Sequence, residues 1–124
     1  MIVISVASGI SALIQIGRLD LFKTLFQEII IPIKVQDELL QLSSFDIDLS
    51  EFQRADWIKV LEPKSTELLA ELLLTLHEGE SQAIALAIEI NADLLILDDG
   101  DARLEATRLS LQFTGTAGIL IRAK

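Results

Sequence analysis

The chain has no cysteine and no tyrosine, and only one tryptophan, one histidine and two prolines in 124 residues. Without cysteine there are no disulfides, no thiolate nucleophile and no thiolate zinc site. With aromatics at 5% against 51% hydrophobic residues, a core must be built from Leu, Ile, Val and Ala. Positive charge is also scarce: ten Lys and Arg face nineteen Asp and Glu, for a net charge of −9 and a pI near 4.4. That sign opposes a protein gripping nucleic acid over a broad basic face. It leaves room for a local basic patch, for cations among the acids, or for a basic protein partner. No apolar run approaches the roughly 20 residues needed to cross a bilayer. The start, Met1 to Val6, lacks the basic opening of a signal peptide and reads as a strand. A cytoplasmic setting fits these features. Neither a Gly-rich phosphate loop, nor a Ser/His/Asp set, nor a HExxH zinc motif is present.

The stretch around which the rest is organised is Leu94-Leu95-Ile96-Leu97-Asp98-Asp99-Gly100-Asp101. Four consecutive aliphatic residues predict a strand buried on both faces, as in a parallel sheet. Such sheets bind ligands just beyond the carboxyl ends of their strands. Acids delivered there make an oxygen-lined site for a hard divalent cation. An equally good reading of these residues alone is a loop shaped by Asp98 and Asp99, with positive φ at Gly100 and Asp101 capping the next helix.

Along the chain, residues 2–6 read as a buried strand. Ser8 is expected to cap a helix over about 9–16, ended by Gly17, with a second helix over 19–26. A strand is expected over 28–31, with Pro32 opening a helix over about 33–41. Residues 43–50 read as a flexible loop and 57–61 as a strand, possibly at an edge. Pro63-Lys64-Ser65 opens a leucine-rich helix that Gly79 interrupts. A new helix runs from Glu80 to about Ile90, lined with small residues suited to packing on a sheet. Helix over 102–109, a short strand over 111–113 and a last helix over 115–122 complete the pattern. Alternating strands and helices with short turns predict one domain, residues 1–124, folded as an α/β three-layer α/β/α sandwich on a central parallel sheet. The leucine-rich helices have too few turns for a zipper.

Several segments occur in an order that carries a resemblance. They are Ile16-Gly17-Arg18-Leu19-Asp20-Leu21, Ile31-Pro32 with Val35 and Glu38-Leu39, Gly79 to Ala87, Ala92 to Ile96 with Asp98-Asp99, and Thr114-Gly115-Thr116. Together they resemble the PIN-domain superfamily, close to the VapC-type ribonuclease toxins of bacterial toxin–antitoxin pairs. The resemblance covers almost the whole chain and rests on the ordered set, since each segment alone is weak. It implies a parallel α/β/α fold with acids around Mg²⁺ or Mn²⁺ at one edge, and hydrolysis of single-stranded RNA. A basic antitoxin-like partner and a homo-oligomer, such as a dimer, are further expectations of it.

By motif, Glu38 matches the family's second acid, Glu80 the third and Asp98 the fourth. These three are the expected catalytic and metal-holding residues, with Asp99 and Asp101 as supporting ligands. Against each stands a plainer reading: Glu38 as an exposed helical residue, Glu80 as an acid favoured near a helix N-terminus by about 0.3–1 kcal/mol. The first acid is missing. Counted back from Ile16-Gly17-Arg18-Leu19-Asp20, its position falls on Val6, and no Asp or Glu precedes Asp20. Ser5 and Ser8 offer hydroxyls that could hold a metal-bound water, a poor replacement for an anion. Weak metal affinity and much reduced cleavage follow. Relatives are also expected to continue past Ile121-Arg122-Ala123-Lys124 with more helix.

The remaining candidates have plain readings. His77 is expected at a partly exposed helix end and Trp57 in core or edge packing. Arg103, Arg108, Arg122 and Lys124 are either phosphate contacts near the acidic edge or, slightly preferred, ordinary helix-surface charge. Thr114 and Thr116 either bond near the site or, for Thr116, cap the last helix.

Overall fold

A computed structural model describes residues 1–123. The short aliphatic runs make five strands: β1 (Val3–Ser5), β2 (Ile29–Pro32), β3 (Ile58–Leu61), β4 (Leu94–Ile96) and β5 (Phe113–Thr114). They form one parallel sheet in the order β3-β2-β1-β4-β5. Parallel pairing requires a crossover between successive strands. The helices α1 (Ala7–Gln15), α2 (Asp20–Phe26), α3 (Ile33–Leu40), α4 (Ser50–Arg54), α5 (Glu67–Leu72), α6 (Glu78–Glu89), α7 (Gly100–Arg108) and α8 (Thr116–Arg122) supply these connections and flank the sheet.

Side chains alternate across a strand, so each strand feeds two cores. Val3, Ile29, Ile31, Leu94 and Ile96 face Ile10, Leu13, Leu19, Phe22, Val35, Leu39 and Ile119. Ile4, Val6, Leu95 and Leu97 face the other way, onto Leu72, Leu76, Ala83, Ile84, Leu86, Ala102 and Ala106. The result is the expected three-layer sandwich. Truncating a fully buried member such as Leu95 to alanine costs about 2–5 kcal/mol. The small residues of α6 let that helix lie close on β1, β2 and β4.

Because all strands run the same way, their carboxyl ends share one edge. The register sets Ser5 beside Ile96 and Ile96 beside Thr114. Val6, Asp98 and Thr116 are thereby delivered to adjacent places. Helix α3 follows β2 directly and touches both α1 and α6, closing over the same edge.

Some local expectations are corrected. Ser8 does not cap α1; the helix begins at Ala7 after an extended Val6, and the Ser8 hydroxyl is used elsewhere. Residues 43–50 are not an open loop. A 3₁₀ turn (Gln41–Phe45) ends at a left-handed Asp46, and the Asp48 carboxylate then accepts the Ser50 amide at 2.9 Å to start α4. Gly79 does not separate two helices: α6 starts at Glu78, so Gly79 sits in its first turn. Thr66, not Ser65, opens α5, its hydroxyl accepting the Leu69 amide at 3.1 Å. Gly100 has no positive φ, and Asp99 rather than Asp101 caps α7. Gly17 does end α1 as expected, with φ of 71°. Strand β3 is an edge strand, and Trp57 packs partly buried against the core.

Candidate metal centre at the carboxyl edge of the sheet

A cleft of about 230 Å³ opens at this edge, lined by Val6, Ala7, Ser8, Glu38, His77, Gly79 and Glu80. Glu38 reaches it from α3 and Glu80 from the first turn of α6. Asp98 joins through Ser8, whose hydroxyl donates to Asp98 Oδ2 at 2.9 Å. Of the three predicted acids, Glu38 and Glu80 line the cleft with Val6, whereas Asp98 is not part of its lining and touches it only through Ser8. Val6 is 6% exposed, its side chain in the α6-side core and its amide donating to Ile96 O at 3.3 Å. Ser5 lies outside the cleft: it is fully buried, and its hydroxyl donates to Val6 O at 2.9 Å.

The acids live in different surroundings. Asp98 Oδ1 accepts the Thr116 amide at 2.8 Å; Oδ2 accepts the Thr116 hydroxyl at 2.6 Å as well as Ser8. Burial opposes its ionisation, but the Thr116 hydroxyl and amide, Ser8 and the nearby Arg103 outweigh it and hold the carboxyl below its ordinary range. Glu38 and Glu80 have no such donors from side chains. Burial pushes Glu38 up, only partly offset by Lys34 and His77. Burial also pushes Glu80 up, helped by the charges of Asp99 and Glu38 and offset by His77 and its backbone amide bond.

Asp99 spends Oδ2 on the Ala102 amide at 2.9 Å while its charge faces Glu80. Asp101 is an exposed acid in the first turn of α7 and does not line the cleft. His77 is exposed at the start of α6, at the cleft mouth. Arg103 is at the acidic edge, whereas Arg108 is paired with Glu105 at 2.7 Å and Glu71 at 3.3 Å. Lys124 lies outside the described residues.

Sequence reasoning missed two residues that set this geometry. A methyl group on Gly79 would collide with Glu38 Oε1, so the bare glycine is what lets the glutamate lie against α6. Gln82 Oε1 accepts the Lys34 amide at 3.1 Å, tying the start of α3 to α6. The Gly79-Glu80-Ser81-Gln82 run hinted at a packed helix start, but only tertiary contact shows which atoms meet.

The donors suit a hard cation in kind: all are carboxylate oxygens, and two are desolvated and mutually repelling, which a cation would relieve. In number they fall short. Among the described residues no three Asp, Glu or His side chains gather closely enough to hold an ion.

A doubly flanked parallel sheet with acids at its carboxyl edge defines the class, and the comparisons agree. The family model described as a PIN domain matches residues 2–124, and the chain belongs to that family. No curated protein is similar enough to count as a match. Among solved structures, a PilT N-terminus domain protein from the hyperthermophilic archaeon Sulfolobus solfataricus P2 superposes with a TM-score of 0.66 at 23% identity, over 99% of this chain and 93% of that one. At that identity it speaks to the fold alone. No helix among the described residues is long and apolar enough to cross a membrane.

Proposed function

We propose that the chain is a PIN-domain ribonuclease of the toxin–antitoxin kind with a degenerate acidic centre, acting slowly if at all on single-stranded RNA. The observation that supports this reading is Val6, a buried hydrocarbon lining the same cleft as Glu38 and Glu80. Glu38 and Glu80 would hold Mg²⁺ or Mn²⁺, with Asp98 and Asp99 at the margin and Asp101 further out. When bound, such an ion supplies Lewis acidity toward a phosphodiester oxygen and acidifies water. The protein's own residues orient the site. Thr116 and Ser8 fix the Asp98 carboxylate by three hydrogen bonds, and the bare Gly79 leaves the room that Glu38 occupies.

The test is cleavage of single-stranded RNA with Mn²⁺ by the wild type, Val6→Asp and Glu80→Gln. The expected order is Val6→Asp well above wild type, with Glu80→Gln inert. A wild type as fast as Val6→Asp would contradict the degenerate centre. Activity unchanged in Glu80→Gln would place the chemistry elsewhere.

A second reading, a non-catalytic module that pairs with a basic antitoxin-like protein or with its own copy, is favoured by two observations. The net charge of −9 suits a basic partner. Leu120 and Ile121 on α8, and Leu73 and Leu74 after α5, expose apolar surface. Co-purification of a small basic protein with an inert wild type would select this reading.

A further inference from the structure

The cation that faces Asp98 in this fold is part of the chain itself. Arg103, on α7, is half-buried and held at two points. Its Nε donates to Leu97 O at 2.9 Å, and its guanidinium carbon stands 5.5 Å from the centroid of the Phe113 ring. Gly115 shows how near it comes to the carboxylate. A methyl group there would collide with Arg103 Nη2 and would also sit 2.8 Å from Asp98 Oδ1, so guanidinium and carboxylate border the same space and fill it. The backbone at Gly115, φ −99° and ψ 178°, suits any residue; the crowding is what favours glycine. The Arg103 charge is among the influences that hold the Asp98 carboxyl ionised.

This is not an ordinary surface ion pair. Arg18 and Arg108 meet their acids directly at exposed positions. Arg103 instead stands alongside its acid, anchored by a carbonyl and an aromatic face, so its position does not depend on Asp98. Asp98, meanwhile, has little acceptor capacity to spare. A carboxylate offers about four acceptor sites. Oδ2 takes the Ser8 and Thr116 hydroxyls, and Oδ1 takes the Thr116 amide. A divalent cation at this carboxylate would have to displace one of these donors and approach a fixed positive charge. Glu38 and Glu80 have no arginine acting on them.

We propose that Arg103 is a built-in counter-ion that withholds Asp98 from divalent cations, so that Mn²⁺ taken up by the rim is held without Asp98. The inference rests on the metal reading given above and sharpens it. A guanidinium keeps its charge at every working pH and, unlike a bound ion, cannot dissociate.

The experiment measures Mn²⁺ binding to the full chain, without RNA, from the loss of the free-ion electron paramagnetic resonance signal. Wild type is compared with Arg103→Gln, Arg103→Lys, the double variant Asp98→Asn with Arg103→Gln, and Arg108→Gln as a charge-matched control on the same helix. Each is also made together with Val6→Asp. Arg103→Gln uncovers Asp98 and is expected to tighten Mn²⁺ roughly fivefold to tenfold, the size of one unit charge acting on a divalent ion across several ångströms of water-like surroundings. Arg103→Lys keeps the charge and returns binding toward the parent's. The double variant removes both charges and binds as its parent does, which a ligand role for Asp98 would not allow. Arg108→Gln leaves binding unchanged. Should Arg103→Gln fail to fold, Gly115→Ala takes its place: it drives the guanidinium from the carboxylate at unchanged net charge and should tighten Mn²⁺ in the same direction. Unchanged affinity in the variant used refutes the proposal. So does an equal gain in Arg108→Gln, which means bulk charge, or a loss of binding in the double variant. If Val6→Asp binds Mn²⁺ and Arg103→Gln adds nothing to it, this proposal alone fails. If Val6→Asp and all its derivatives bind none, the metal reading fails and takes the proposal with it.

Discussion

The two sides of the acidic rim are built on opposite principles. On the β4 side, Asp98 has a donor for each oxygen and a guanidinium nearby, so its charge is stabilised by the fold. On the α3–α6 side, Glu38 and Glu80 are partly desolvated and face other acids, and the bare Gly79 leaves room for the Glu38 carboxylate against α6. One carboxylate is finished; the other two are strained electrostatically. In the proposed function, the unsatisfied charge on the α3–α6 side belongs to an acidic centre that lacks its acid at Val6.

Removing the finished side has the largest effect. Asp98→Ala deletes the acceptor for three hydrogen bonds and is expected to destabilise by about 1–2 kcal/mol, less than three buried bonds would, because the carboxylate is exposed to water. A denaturant midpoint shift at unchanged slope would measure it; no shift would mean that the hydrogen bonds are water-replaceable. Next, Gly79→Ala should displace the Glu38 carboxylate with a stability change within about 1 kcal/mol, since the atom in the way is the free end of a flexible side chain and alanine favours the helix by a similar amount. In the double variant with Glu38→Ala nothing is left to displace and the alanine should be stabilising, because the two changes share one contact. Full additivity would show that the glycine answers to something else. Ser8→Ala, removing one of the three bonds to Asp98, should cost about 0.5–1.5 kcal/mol.

The smallest effect separates the two sides by sign. For Glu38 and Glu80 the folded-state pKa lies above the model-peptide value of 4.5. The folded state therefore binds the proton more tightly, and the stability this gives is full below pH 4.5 and lost as pH rises through the raised values. Glu80→Gln should raise stability at neutral pH by under about 1 kcal/mol, given solvent screening, with the gain vanishing near pH 4. Asp98 behaves oppositely: its depressed pKa contributes stability above 3.8 that disappears as pH falls through the lowered value. Thermal melts of Glu80→Gln and Asp98→Asn should both meet wild type in acid and part from it toward neutral pH in opposite directions, Glu80→Gln above and Asp98→Asn below. Parallel curves would erase the distinction between the two sides.

Much of this was legible in the residues. The runs at 2–6, 28–31 and 94–97 predicted strands that the fold trims to Val3–Ser5, Ile29–Pro32 and Leu94–Ile96, and the Ala/Ile pattern of 83–88 predicted close helix packing, because burial on a sheet suits such sequences. Helix starts were less legible. Asp99, Gly100 and Asp101 offer two acids around one glycine, and sequence does not say which carboxylate turns back onto the chain. Ser8 looked like a cap because hydroxyls cap helices, but its partner is 90 residues away. Helix α4 has one buried anchor, Phe52, in a polar stretch, too little periodicity to register. At the site, motif order named Glu38, Glu80 and Asp98 as candidates, and the cleft brings the first two together, while the Gly79 contact was not legible, since a glycine's neighbours are set wholly by tertiary packing.

Calorimetric titration of Mn²⁺ into wild type and Val6→Asp tests the central claim most directly. The account predicts binding too weak to saturate at millimolar Mn²⁺ in wild type, and at least tenfold tighter binding in Val6→Asp that is lost again in Val6→Asp with Glu80→Gln. Wild type binding as tightly as Val6→Asp would contradict it.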